Sequence, residues 1–133
     1  MTKRIDISFN RLAEGNMSCV GLGNFRCLGK IGEPYPADLT IDPATPGTKE
    51  NPHYSGTYGC FPNNDARGRC IMNYAILIWG QNGVYIHEWP GVPTYAGNGN
   101  QTTHGCIHLA VGEAKKVFDW VDARTRIIIS RPW

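Results

Sequence analysis

The chain has 133 residues, of which 41% are hydrophobic and 18% charged, and its formal net charge is +2 at pH 7. This length and balance predict a folded core in one domain spanning residues 1–133 rather than a disordered chain. The basic residues are scattered, whereas a nucleic-acid-binding protein concentrates them to neutralise phosphates. No apolar run reaches the roughly 18 residues of a membrane-spanning helix. Both of these classes are therefore disfavoured.

The N-terminal half carries short strand patterns and then a proline-rich stretch. Residues 4–9 alternate apolar and polar side chains, as a half-buried strand does. Residues 17–22 and 25–32 predict a second and a third strand around a turn at Gly23-Asn24. The segment 32–64 contains six prolines and predicts a loop-rich, Pro/Gly-rich insertion within the domain, and a candidate lid.

The C-terminal half predicts a hairpin, a helix and a last strand. Residues 70–80 form the strongest strand signal and are apolar enough for the centre of a sheet. Gln81-Asn82-Gly83 predicts a tight turn, which makes residues 84–89 the hairpin partner. The helical spacing of apolar residues predicts an amphipathic helix over 111–122, and 125–130 predicts a buried strand. The expected fold class is β-dominated, mixed β with one main helix.

The five cysteines allow two disulfides and one free thiol. A bridge between Cys60 and Cys70 would close a turn-like loop, and one between Cys19 and Cys27 would clip a predicted hairpin. The other interpretation is that these are buried reduced thiols, because a free cysteine packs as a small hydrophobic residue. The spacings of Cys and His match no common zinc finger, so no metal and no other cofactor is predicted.

Cys106 stands between His104 and His108, directly after a glycine. Gly105 permits an unusual φ and a close approach of the backbone to a substrate. The successive N–H groups of residues 104–106 could form a nest for an oxyanion. His87 lies 19 residues upstream at a strand end, within reach through the intervening loop, and an imidazolium there would lower the pKa of the Cys106 thiol. Taken singly, each of these residues also has an ordinary structural explanation.

The ordered set of motifs resembles the catalytic core of the L,D-transpeptidases of the YkuD type. It consists of His87, a loop, Thr103-His104-Gly105-Cys106-Ile107, the helical EAKKVFDWV and the closing TRIII. The resemblance covers about residues 70–129 and is looser before them. It implies an L,D-transpeptidase-like β-sandwich or barrel, with Cys106 as nucleophile and His87 as general base and acid. It also implies that His104 and Gly105 support the oxyanion nest.

The resemblance implies substrate-binding roles for four further residues. Thr103 is expected to hold the turn, and Tyr85 and Trp89 to line the substrate groove. His108 stands where the family usually has Arg or Asn, and we expect it to contact a substrate carboxylate. Glu88 stands where a small residue is common, so its carboxylate is expected to crowd the site or to raise the pKa of His87.

The resemblance also implies a reaction and a place of action. The substrate would be a peptidoglycan tetrapeptide stem, cleaved between diaminopimelate and D-alanine through a thioester on Cys106. An amine acceptor would make the chain an L,D-transpeptidase, water an L,D-carboxypeptidase, and a free D-amino acid an exchange enzyme. A start at Met1 without a leader resembles small secreted antibacterial effectors of this family, type VI-like toxins of the periplasm with an immunity protein as partner. The alternative is a chain trimmed of its leader.

Two other functions remain open from the sequence. A papain-like peptidoglycan amidase would use Cys70 as nucleophile, since Cys70 precedes His87 in the order that class requires. A non-catalytic wall-binding module would carry Cys106 as an inert thiol.

Overall fold

In the computed structural model, the described part of the chain comprises residues 2–42, 45, 47–56, 64–90, 103 and 105–133. Its strands are β1 (Arg4–Phe9), β2 (Glu14–Cys19), β3 (Gly23–Leu28), β4 (Asp38–Thr40), β5 (Lys49–Glu50), β6 (His53–Ser55), β7 (Cys70–Met72), β8 (Ala75–Trp79), β9 (Val84–Glu88), β10 (Ile107–Leu109) and β11 (Arg126–Ser130). A 3-10 turn spans Gly80–Asn82, and the helix α1 spans Glu113–Trp120.

Nine of these strands form one sheet, in the order β4-β11-β1-β2-β3-β10-β9-β8-β5, and β6 pairs with β7 in a second, two-stranded sheet. The strands β1, β2 and β3 form an antiparallel meander. Parallel pairing joins β11 to β1 and β10 to β9, while β10 is antiparallel to β3. The prediction of a β-dominated fold with one main helix is confirmed.

One face of the main sheet is the core, and strand alternation selects its residues. On β1, Ile5 and Ile7 are buried while Asp6 and Ser8 are not, as predicted for residues 4–9. The helix α1 buries Ala114 and Val117 in the same core. It is shorter than the predicted 111–122, because Gly112 has φ +87° and Val121 is extended, neither of which fits a helix.

The turn between β2 and β3 lies earlier than predicted. Met17 pairs with Phe25 and Cys19 with Gly23, which leaves residues 20–22 as the connection. Gly21 takes φ +90° there, a conformation that costs a glycine little. The prediction of a turn at Gly23-Asn24 is therefore wrong, since Gly23 already opens β3.

The apolar segment 70–80 is two strands rather than one. Tyr74 has φ +52°, which ends the extended backbone, and its N–H donates to Oδ1 of Asn51 at 3.0 Å. The first piece, β7, joins the small sheet, and the second, β8, joins the main sheet.

The described part of segment 32–64 is also more regular than predicted. It supplies β4, β5 and β6, and it buries Tyr35 and Ile41 in the core cluster. The prolines are compatible with these strands because each strand is only two or three residues long. These described residues are therefore mostly loop, with three short strands between the loops.

The predicted bridge between Cys19 and Cys27 is wrong, because both are buried thiols that form no disulfide. Their hairpin register pairs Cys19 with Gly23 and Cys27 with Gly15, so the two cysteines do not face each other across the strands. Burial raises the pKa of Cys19 to about 12 and that of Cys27 further. Cys70 is disulfide-bonded. Its predicted partner, Cys60, lies outside the described residues.

No helix among the described residues combines the length and apolarity needed to cross a membrane. In the same part of the chain, no group of three or more His, Cys, Asp and Glu side chains could hold a metal ion.

Candidate active site at Cys106

Two paired strands carry the predicted base and adjoin the predicted nucleophile. In the parallel pair of β9 and β10, Ile86 is opposite Ile107 and His87 is opposite His108. Ile86 and Ile107 are fully buried in the core, so alternation turns His87 and His108 to the other face. Cys106 directly precedes β10, and continued alternation would turn its side chain to the face of His87.

The Cys106 sulfur lies in a partly apolar environment that favours the protonated thiol. It packs beside Cys70, Met72 and Tyr85. The backbone N–H of Tyr85 donates to Sγ at 3.5 Å, and Sγ lies 3.9 Å from the carbonyl oxygen of Gly83. Burial raises the pKa of the thiol, the N–H of Tyr85 opposes this, and the negative charge of Glu33 adds to the rise. The predicted lowering of the Cys106 pKa is therefore wrong.

His87 is held as a neutral imidazole of one tautomer. Its side chain is buried, and this burial lowers its pKa to about 4, with a further lowering from the charge of His53. Nδ1 lies 2.9 Å from the carbonyl oxygen of Glu88. A carbonyl only accepts, so we assign the proton to Nδ1. The Nε2 atom then carries the lone pair that a general base needs.

Glu88 acts on His87 through its backbone and not through its carboxylate. The carboxylate accepts from Nδ2 of Asn73 at 3.2 Å and from the N–H of Gly112 at 3.4 Å. It is the Glu88 carbonyl that supports the charged form of His87, and burial outweighs it. The prediction that the Glu88 carboxylate raises the pKa of His87 is wrong.

The turn before Cys106 is tied together by Thr103. Its Oγ1 donates to the carbonyl oxygen of Cys106 at 2.6 Å and accepts the N–H of Gly105 at 3.0 Å. Gly105 has φ +130°, where a side chain is strained. The N–H of Gly105, predicted to face an oxyanion, is thus donated to Thr103. His104 lies outside the described residues.

The other predicted site residues pack in pairs of rings, two stacked and one edge-on. His108 packs with its ring centroid 4.5 Å from that of His87 and 5.2 Å from that of Trp89. Tyr85 stacks on His53 at 4.4 Å, and His53 Nδ1 lies 3.0 Å from Oε1 of Glu50. His108 therefore supports His87, a contact that the sequence did not predict. Substrate contact by His108, Trp89 and Tyr85 stays a prediction.

Comparison with known proteins identifies the family. The model of the L,D-transpeptidase catalytic domain matches residues 14–129. The chain belongs to this L,D-transpeptidase family. The predicted resemblance is confirmed, and the match extends it from about residue 70 back to residue 14. No curated protein matches the sequence.

Solved L,D-transpeptidases share the fold. One from Mycobacterium smegmatis is 27% identical with a TM-score of 0.62, covering 96% of this chain and 59% of that one. L,D-transpeptidase 3 from Mycobacterium tuberculosis, in complex with a faropenem-derived adduct, is 21% identical with a TM-score of 0.62, covering 96% and 60%. One from Stackebrandtia nassauensis is 17% identical with a TM-score of 0.64, covering 99% and 58%. This chain thus spans about three fifths of their lengths.

Two residues beside the turn before Cys106 were not predicted from the sequence. Tyr35 is fully buried, and its OH donates to the carbonyl oxygen of Gly105 at 2.7 Å. Glu33 Oε2 lies 3.7 Å from the point where a Cβ would sit on Gly105. The only local signal is that Tyr35 is an aromatic residue between two prolines, which does not reveal a contact 70 residues away.

The amidase interpretation loses its nucleophile. Cys70 is disulfide-bonded and lies at the start of β7. A sulfur in a disulfide has no thiol to ionise, so it cannot initiate attack. Among the described cysteines, Cys106 is a free thiol that directly precedes β10, the strand paired with the one that carries His87.

Proposed function

We propose that this chain transfers acyl groups of peptidoglycan stem peptides through a thioester on Cys106, with His87 as its acid–base residue. The observation that supports this most directly is that Cys106 directly precedes β10, the strand paired with the one that carries the neutral, Nδ1-protonated His87. Membership of the L,D-transpeptidase family supplies the reaction class.

The resting pair is a thiol and an imidazole rather than a thiolate and an imidazolium, because the pKa of Cys106 is raised and that of His87 is lowered to about 4. Nε2 of His87 therefore takes the Sγ proton as Sγ attacks the carbonyl carbon of diaminopimelate. The resulting imidazolium is a strong acid, so it readily protonates the amine of the departing D-alanine. The product is a thioester on Cys106.

The tetrahedral intermediate needs donors for its oxyanion. The N–H of Gly105 is occupied by Thr103, so we propose the N–H of Cys106 as one donor, with residue 104 as the candidate for another. Losing one such donor typically costs on the order of 10²–10³ in rate. Thr103 acts by holding the turn, and His108, Trp89 and Tyr85 are proposed to border the bound stem.

The deciding experiment uses purified disaccharide-tetrapeptide with the wild type and Cys106→Ala. We expect the wild type alone to release one D-alanine, with a thioester on Cys106 detected by intact mass. A dimer product would identify the transpeptidase, incorporation of added D-methionine the exchange enzyme, and a free tripeptide the carboxypeptidase. Cleavage elsewhere in the stem, or equal activity of Cys106→Ala, would refute the proposal.

A wall-binding module is the second candidate, and the raised pKa of Cys106 favours it, since a protonated thiol is less reactive. It predicts that Cys106→Ala still binds purified sacculi while neither protein changes the stem. Release of D-alanine by the wild type would exclude it.

The antibacterial role, secretion to the periplasm and an immunity partner stay predictions. They are tested by expressing the chain in Escherichia coli with and without a periplasmic leader, beside Cys106→Ala. Growth arrest that requires both the leader and an intact Cys106 would support an effector role. Unimpaired growth with active enzyme in the periplasm would count against it.

A further inference from the structure

We infer that the carboxylate of Glu33 forms a binding subsite for a primary ammonium group beside Cys106. This inference rests on the proposed function, under which the ammonium belongs to the stem substrate. It is either the side-chain amine of the donor's diamino acid or the amine of the acceptor.

The carboxylate is placed against the nucleophile's turn by a well-anchored loop. Its side chain is 11% exposed, and Oε2 approaches Gly105, the residue before Cys106. The backbone of Glu33 is held at both ends, since its carbonyl oxygen accepts from Nε1 of Trp133 at 2.6 Å and its N–H donates to Lys30 at 3.2 Å. The position of this charge is therefore set by the fold.

The negative charge of Glu33 disfavours the ionised forms that attack by Cys106 would generate. It raises the pKa of Cys106, and it would repel both a thiolate and the developing oxyanion. A site that needed only to activate the thiol would work better with a neutral residue at position 33. A substrate cation bound to Glu33 removes this penalty, because the paired charges cancel at the nucleophile.

The lysine that now pairs with Glu33 can be displaced by such a cation. Lys30 Nζ lies 3.5 Å from Oε2, but its side chain is 46% exposed. A half-exposed lysine holds its partner weakly and can turn to solvent. A substrate ammonium approaching from the Cys106 side would meet a carboxylate that is already largely desolvated.

An ammonium at Glu33 fits the second half of the reaction. The bound ammonium first releases one proton to solvent, and the resulting amine then loses a second proton to Nε2 of His87 as its nitrogen attacks the thioester carbon. The new N–C bond forms as the C–Sγ bond breaks, and the electron pair stays on sulfur. His87 then returns the proton to Sγ, so the enzyme recovers its thiol and neutral imidazole.

The first test needs no stem substrate. Cys106 is labelled with 2-aminoethyl methanethiosulfonate, which carries a primary ammonium, or with its sulfonate analogue, and the ratio of the two rates is measured. Glu33→Gln keeps the size of the side chain and is expected to lower the ammonium preference about tenfold. Lys30→Gln, the matched control, should raise it. An unchanged ratio in Glu33→Gln, or a fall of equal size in both variants, overturns the subsite.

The second test identifies the source of the ammonium. Thioester formation and its partition between D-methionine and water are measured with stems whose side-chain amine is free or acetylated. Slower acylation of Glu33→Gln by the free-amine stem alone indicates the donor amine. About a tenfold shift from D-methionine towards water, with acylation unchanged, indicates the acceptor. If the wild type forms a thioester and Glu33→Gln has the same acylation rates and the same partition, the proposed subsite is refuted. If the wild type forms none, the proposed function fails, and the labelling ratio still decides the subsite.

Discussion

Tyr35 and Gly105, 70 residues apart in the chain, are joined by a 2.7 Å hydrogen bond from the phenol OH to the carbonyl oxygen. The same OH accepts the N–H of Lys30 at 2.9 Å, and the ring stacks on Phe9 at 5.5 Å. The peptide before Cys106 is thus fixed by a residue of the early proline-rich segment. We therefore expect Tyr35 to be a positioning residue, which acts on Cys106 through the backbone.

Tyr35→Phe should therefore loosen the site while keeping the core packed. The ring still stacks on Phe9, but a partly buried N–H and a buried carbonyl lose a partner, which costs about 1–3 kcal/mol of unfolding free energy. We also expect the rate of thioester formation to fall at a pH and temperature where the variant is fully folded. Urea denaturation and intact mass measure the two effects. Tyr54→Phe, at an exposed tyrosine, is the control and should change neither.

Thr103 offers a second test of turn positioning. Thr103→Val keeps the shape of the side chain but removes both hydrogen bonds of Oγ1, to Cys106 and Gly105. We expect slower thioester formation and a loss of about 1–3 kcal/mol in stability. Thr103→Ser keeps the hydroxyl and should restore most of the rate. If serine and valine behave alike, the hydroxyl does not position the turn.

The buried His87 predicts a pH dependence of stability. Its folded pKa is about 4, against about 6.5 when unfolded, so the unfolded chain binds the proton more tightly. The stabilisation is fully present above pH 6.5 and is lost as the pH falls towards 4, amounting to about 3 kcal/mol. Urea denaturation should show that the unfolding free energy falls as the pH is lowered across this range. In His87→Gln this fall should be about 3 kcal/mol smaller. Equal slopes for the two proteins would show that His87 titrates normally in the fold.

Thiol reactivity tests the resting state of the pair. The pKa of Cys106 is raised, so its alkylation by iodoacetamide should keep accelerating above the ordinary thiol pKa, without a fast plateau near pH 6. Cys19 and Cys27 are buried with strongly raised pKa values and should react only in denaturant. Peptide mapping locates each label, with Cys106→Ala as control. Fast labelling of Cys106 at pH 6 would instead indicate a thiolate–imidazolium pair.

The local sequence pattern was sufficient to predict one strand and the family. The alternation in residues 4–9 predicted β1 with its bounds, because strand burial depends on a period of two that a short window contains. His87 and Cys106 were predicted as the reactive pair because reactive residue types with a characteristic spacing are visible in the chain. The family followed from the same motif, and the comparison extended it to residue 14.

Tertiary structure decided the rest, since it depends on groups that are distant in sequence. Tyr74 divides an apolar run that looks continuous, by a backbone angle supported from Asn51. The placement of Tyr35 and Glu33 beside Gly105 brings segments 70 residues apart together. The sequence by itself determined the family and which side chains are proposed to carry the chemistry. Only the fold decided their protonation states, because burial and neighbouring charge set a pKa and neither can be read from a local window.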